Sequence, residues 1–134
     1  MIRVLDASVV VKWFVSEDTA STEKAADLLE QVLSNPRAFA VPELLFSECL
    51  HVFARRLKSQ ADMDWAMDHV FRLGLVPLRF DATVAKAATQ AMAGGMTGYD
   101  ATYFAFAKLV GGKWVTFDKA ASAKALDKDL VELL

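Results

Sequence analysis

The sequence predicts an α/β fold built on a parallel sheet, and three observations carry that expectation. Five short β-rich runs punctuate the chain. Segments whose apolar residues recur at helical spacing separate them. The runs are apolar almost throughout rather than alternating, as in strands buried on both faces, and alternation with helices supplies the layers that bury them.

Taken in order, the first run is Ile2-Arg3-Val4-Leu5, which leads directly into Asp6. After Ala25, the apolar residues Leu28, Leu29, Val32 and Leu33 recur at helical spacing. Ala38-Phe39-Ala40-Val41 is the second run. Phe46, Leu50, Phe53 and Leu57 then predict the apolar stripe of one helix, and Met63, Met67 and Val70 that of another. Gly74 closes this second helix just before the third run, Leu75-Val76-Pro77-Leu78. Asp81 follows a strand and precedes a helical run, so it reads as a helix cap. The stretch Gly94-Gly95-Met96-Thr97-Gly98 is a loop, and the long helix after it opens near Asp100 and stops at Gly111-Gly112. Lys113-Trp114-Val115-Thr116-Phe117 leads into Asp118, and Leu130-Val131-Glu132-Leu133 is the fifth run.

The 134 residues suit one domain with one core. Hydrophobic residues at 54 % and charged residues at 24 % describe a folded globular chain. No apolar run approaches the roughly 18 residues that a bilayer span needs. The start lacks the apolar stretch and cleavage site of a secretory signal. Cys49 is the single cysteine, which excludes an internal disulfide and fits a reducing compartment, so the expectation is a cytoplasmic protein with no membrane partner. The net charge of −2 and pI near 5.6 are not the footprint of a general nucleic-acid binder, so any such role must rest on a local site. Arg55, Arg56 and Lys58 form a local basic cluster, which taken alone reads first as the solvated end of a helix.

In an open parallel sheet, ligands bind beyond the carboxyl ends of the strands. Asp6 and Asp118 follow strands there, and Asp100 lies near the opening of the long helix. Each aspartate alone reads equally well as a helix N-cap. Asp100 carries more information, because Tyr103, Phe104 and Ala107 place it on an apolar stripe where a carboxylate must be paired, capped or bound to a cation. Glu48 lies nearly opposite the stripe of its own helix, where an ordinary solvated glutamate would also sit, so spacing does not decide its role. Two histidines, one cysteine and no HExxH or CxxC argue against ordinary zinc sites. Glycine-rich phosphate loops are absent as well. What remains is oxygen chemistry: clustered carboxylates suit Mg²⁺ or Mn²⁺, and these suit phosphate substrates.

Four motifs in order, Val4-Leu5-Asp6-Ala7-Ser8-Val9-Val10, Val41-Pro42-Glu43-Leu44 running into Glu48, Tyr99-Asp100-Ala101-Thr102-Tyr103 and Val115-Thr116-Phe117-Asp118, resemble a PIN domain. More narrowly the chain resembles the VapC toxins of prokaryotic toxin–antitoxin pairs, over essentially all of residues 1–134 as a single PIN-like nuclease domain. The resemblance implies a three-layer α/β/α sandwich with sheet order 3-2-1-4-5. It carries over four acids, Asp6, Glu48, Asp100 and Asp118, as catalytic and Mg²⁺- or Mn²⁺-binding residues, with Ser8 and Thr116 as supporting hydroxyls. It favours Glu48 over Glu43, whose place at the first helical turn has a dipole explanation. It implies a ribonuclease for single-stranded RNA, a cognate antitoxin as partner, and a homodimer.

Two other readings stand beside it. A haloacid-dehalogenase-like phosphatase or phosphotransferase would use Asp6 as nucleophile but wants a second aspartate where this chain has Ser8. A non-catalytic interaction module would use the acids only as caps. Four carboxylates held together are expected to repel, raising at least one folded-state pKa. Phe46, Leu50, Phe53, Met63 and Met67 are candidates for a dimer face on the two central helices.

Overall fold

A computed structural model describes residues 1–134. Its five strands are β1 (Arg3–Leu5), β2 (Phe39–Pro42), β3 (Val76–Leu78), β4 (Lys113–Thr116) and β5 (Val131–Leu133). All neighbours are parallel and the sheet order is β3-β2-β1-β4-β5, as the resemblance implies. Seven α-helices connect them: α1 (Ala7–Val10), α2 (Thr19–Ser34), α3 (Leu44–Arg56), α4 (Gln60–Arg72), α5 (Ala82–Ala91), α6 (Gly98–Leu109) and α7 (Lys119–Ala123).

The two-residue period of a strand sorts the core into two layers. Leu5, Phe39, Val41 and Val115 pack on one face against α1 to α4. Val4 and Trp114, the next residues along β1 and β4, pack on the other against α5 to α7. β1 is central, so the chain order reverses between β1 and β4 and opens a crevice at their carboxyl ends. Gly112 permits the close approach of the chain to β1 before β4 begins, because a Cβ there would run into the Ile2 carbonyl oxygen.

Two helices differ from their expected faces. The buried residues of α3 are Leu45, Cys49 and Phe53, whereas Leu50 is exposed and Phe46 half-buried. At 100° per residue this turns the buried face by about 70° toward Glu48, which lies at its flank rather than opposite it. Cys49 carried the missed signal, since an unpaired cysteine is among the most buried residue types. Helix α6 has no polar face at its centre: every residue from Ala101 to Ala107 is buried. The expected stripe at Tyr103, Phe104 and Ala107 is thus only part of an all-round burial, and Asp100 owes its position to the first turn. Of the residues expected at a dimer face, Phe53 is fully buried, which removes it; Leu50 is half exposed, and Met63 and Met67 are partly buried. Trp65 and Phe71 are the larger exposed apolar groups of this hairpin. Arg55, Arg56 and Lys58 are solvated at the end of α3, with Arg56 3.6 Å from Glu17.

Candidate active site

The ends of β1 and β4 are stapled by a hydrogen-bonded chain of side chains. Asp6, 5 % exposed, caps α1 by accepting from the Ser8 amide at 3.0 Å and takes the Ser8 hydroxyl on the same oxygen, Oδ1. Ser8 Oγ accepts from the Phe117 amide at 3.0 Å and lies 3.4 Å from Thr116 Oγ1. Thr116 Oγ1 in turn accepts from the Asp118 amide at 2.9 Å. The two hydroxyls expected to support the acids therefore tie Asp6 to Asp118 across the crevice. The second Asp6 oxygen, Oδ2, accepts from the buried Trp114 indole N–H at 2.9 Å.

Asp118 is exposed and caps α7, accepting from the Ala121 amide at 2.9 Å. Asp81 caps α5 in the same way at 3.0 Å and stands outside the site, as expected. Asp100 is the third residue of α6, its amide held by the cap residue Thr97 at 3.2 Å. Cap and site readings are thus compatible, because a capping carboxylate keeps lone pairs for other partners.

Electrostatics shows which acids face one another. Burial pushes the Glu48 carboxyl up to about 7, with the charges of Asp6 and Asp100 adding to the rise. Burial also raises Asp6, against the hydrogen bonds of Ser8, Thr116 and Trp114. Asp100 is raised first by burial and further by Asp118, while Thr97 and Lys124 oppose. Glu48 Oε1 is a buried oxygen with no hydrogen-bond partner, and the buried Tyr103 hydroxyl beside it is not closed onto it by a well-aligned bond. Burial pushes the neighbouring Cys49 thiol up to about 12, so it stays protonated and inert as a nucleophile. Glu43 is exposed at the start of α3 and does not figure among the charges that act on Glu48.

No three His, Cys, Asp or Glu side chains are placed to enclose a metal ion. The donor set nevertheless fits a hard divalent cation: the oxygens are carboxylates, Glu48 Oε1 is unpartnered, and Asp6 Oδ2 has a lone pair left beside Trp114. Trp114 and Tyr103 are the site residues that the sequence reading missed. For Trp114 the strand period held the signal, since Val4 pairs with Trp114 and Asp6 lies on the same face two residues on.

An α/β/α sheet of this order, with acids at its switch point, defines the class, and the family comparison agrees. The PIN domain family matches residues 3–127, and the chain belongs to that family. Similar solved structures include VapBC2 from Rickettsia felis bound to a DNA fragment from its promoter, at TM-score 0.73 and 14 % identity, covering 100 % of this chain and 99 % of that one. Mycobacterium tuberculosis VapC20, a sarcin–ricin loop cleaving toxin, matches at TM-score 0.71 and 16 % identity, covering 94 % and 97 %. PAE2754 from Pyrobaculum aerophilum matches at TM-score 0.66 and 21 % identity, covering 96 % and 90 %. No curated protein matches the chain. No helix is long and apolar enough to cross a membrane.

Proposed function

We propose that this chain is a Mg²⁺- or Mn²⁺-dependent endoribonuclease for single-stranded RNA and the toxin of a toxin–antitoxin pair. The observation that carries the reading is Glu48: a half-buried carboxyl with an unpartnered oxygen, raised by burial and further by the charges of Asp6 and Asp100, has no structural purpose in a helix cap. Asp6 and Asp118 would hold the cation from the two strand ends, with Asp100 and Glu48 completing the oxygen set. Such a cation, when bound, lowers the pKa of a coordinated water and stabilises charge on the phosphate. Ser8 and Trp114 fix the Asp6 carboxylate in one orientation. In the metal-free chain the Glu48 carboxyl is raised to about 7 by burial, and a bound cation would favour its ionised, ligating form.

The cleaving activity of VapC20 supports the substrate class, and the complexes of other neighbours support an antitoxin partner. Exposed Leu50, Trp65 and Phe71 on α3 and α4 support a homodimer through this hairpin. The phosphatase reading is disfavoured because Ser8 stands where that chemistry wants a second aspartate. The test mixes the protein with single-stranded RNA or with p-nitrophenyl phosphate, in Mn²⁺, Mg²⁺ or EDTA. Internal cleavage of RNA only with the cations is expected. Phosphate release from the ester with intact RNA, or no reaction on either, overturns the proposal.

A further inference from the structure

Of the four acids, Glu48 lines the wall of a trough beside α3. Two depressions, of about 430 and about 620 Å³, lie between α3 and the start of α6 and share Leu44 and Tyr99 in their walls. The first is flanked by Glu48 and His51, and the second ends at Phe80 in the connection from β3 to α5. Each lies in the roughly 300–1,000 Å³ range of small-ligand sites. Tyr99 is 65 % and Phe80 60 % exposed, and neither stacks on another aromatic ring of the chain. By contrast Trp65 and Phe71, also exposed, each already contact a ring.

We propose that this trough is a nucleobase subsite, in which Tyr99 and Phe80 take an unstacked base of single-stranded RNA next to the scissile phosphate. The inference rests on the nuclease reading and adds where the substrate lies. A phosphate held at the acids projects a nucleoside to either side, and the trough is the hollow that begins at Glu48. Its walls hold no lysine or arginine, so no side-chain ammonium or guanidinium is there to take a second phosphate. They do offer ring faces, and Ser47, His51, Thr97 and Thr102 as hydrogen-bonding groups for base edges. A neutral planar group with polar edges matches that surface, and aromatic stacking is the sequence-tolerant way to hold single strands.

The test is a cycle between protein and RNA. Binding of a fluorescein-labelled single-stranded oligonucleotide in Ca²⁺, and its cleavage in Mn²⁺, are measured for the wild type, Tyr99→Ala, Phe80→Ala and Tyr99→Phe. A matched RNA set carries one abasic nucleotide at each position around the cut. Tyr99→Ala is expected to weaken binding of the intact RNA by about tenfold or more, and Tyr99→Phe to restore it. One abasic position should cost the wild type a similar factor and cost Tyr99→Ala almost nothing. Losses that simply multiply at every position, in a wild type that cleaves RNA, overturn the subsite, leave the nuclease standing and turn the trough over to a protein segment. A wild type that neither binds nor cuts RNA overturns both. Coupled binding without cleavage keeps base recognition in the trough but removes the nuclease and, with it, the place beside a scissile phosphate.

Discussion

Glu48→Gln should stabilise the metal-free protein at neutral and alkaline pH while disabling its chemistry. Burial and the charges of Asp6 and Asp100 raise the Glu48 carboxyl from an ordinary 4.5 to about 7. Between those values the folded chain holds a proton that the unfolded chain has released, so stability falls as pH rises through the window and levels off above it. At about 1.4 kcal/mol per pKa unit the full penalty would be roughly 3 kcal/mol. Solvent screening at a half-exposed carboxyl reduces it to about 1–2 kcal/mol. Glutamine keeps the shape and removes the ionisation, so in EDTA the variant should melt about 4–8 °C above the wild type at pH 8. Near pH 4.5 the two should nearly coincide, since both side chains are then neutral in the fold. Melts followed by circular dichroism across pH 4.5 to 8.5 provide the measurement. A variant that melts below the wild type at pH 8 would refute the reasoning, for it would mean that ionised Glu48 has a favourable partner.

Asp118→Asn should leave the EDTA melt within about 1 °C of wild type, because the residue is exposed and asparagine caps as well as aspartate, yet RNA cleavage should be lost; a large loss of stability would show that α7 depends on the charge. Trp114→Phe leaves Asp6 Oδ2 without its donor and a small void beneath α6, and should cost about 2 kcal/mol in denaturant unfolding. Mn²⁺ at about 100 times its dissociation constant should add roughly 2.7 kcal/mol to the wild type and far less to Asp6→Asn, as read from melting temperatures. Gly112→Ala drives a methyl into the Ile2 carbonyl and should cost more than about 3 kcal/mol, leaving little folded protein on expression.

The layout of the fold was legible because each strand is short, apolar and bounded. The runs at Val4-Leu5 and Trp114-Val115 need burial on both sides, and only helices on both faces of the sheet supply it. The aspartates at strand ends were legible for the same topological reason. Glu48 was not, because a helix face is defined by the residues that the tertiary packing chooses to bury. Phe46 and Leu50 are as apolar as Leu45 and Cys49, so α3 alone admits either rotation. Packing against β2, α1 and α4 selects the second, and with it brings Glu48 to the edge of the core. Trp114 was hidden differently: in the sequence it is one more apolar residue of a strand, and its indole N–H acquires a role only once β1 and β4 are neighbours.

The four acids differ most in their surroundings, and that difference is the useful property of the cluster. Asp6 is buried and held through both oxygens, Oδ1 by Ser8 and Oδ2 by Trp114, so its position is fixed. Asp118 is exposed and anchored as a cap by the Ala121 amide. Between them Glu48 is half-buried, with the Tyr103 hydroxyl beside it but no well-aligned donor on Oε1. A cluster made only of exposed acids would pay little for repulsion and bind a cation weakly, while one made only of buried acids would hold protons instead. Burial is graded from Asp6 through Glu48 and Asp100 to Asp118, and in the proposed nuclease that grading would set fixed oxygen donors at the strand ends beside a carboxyl of intermediate burial. That division of labour requires parallel β1 and β4 side by side, because only their adjacent carboxyl ends bring a buried and an exposed aspartate to the same crevice.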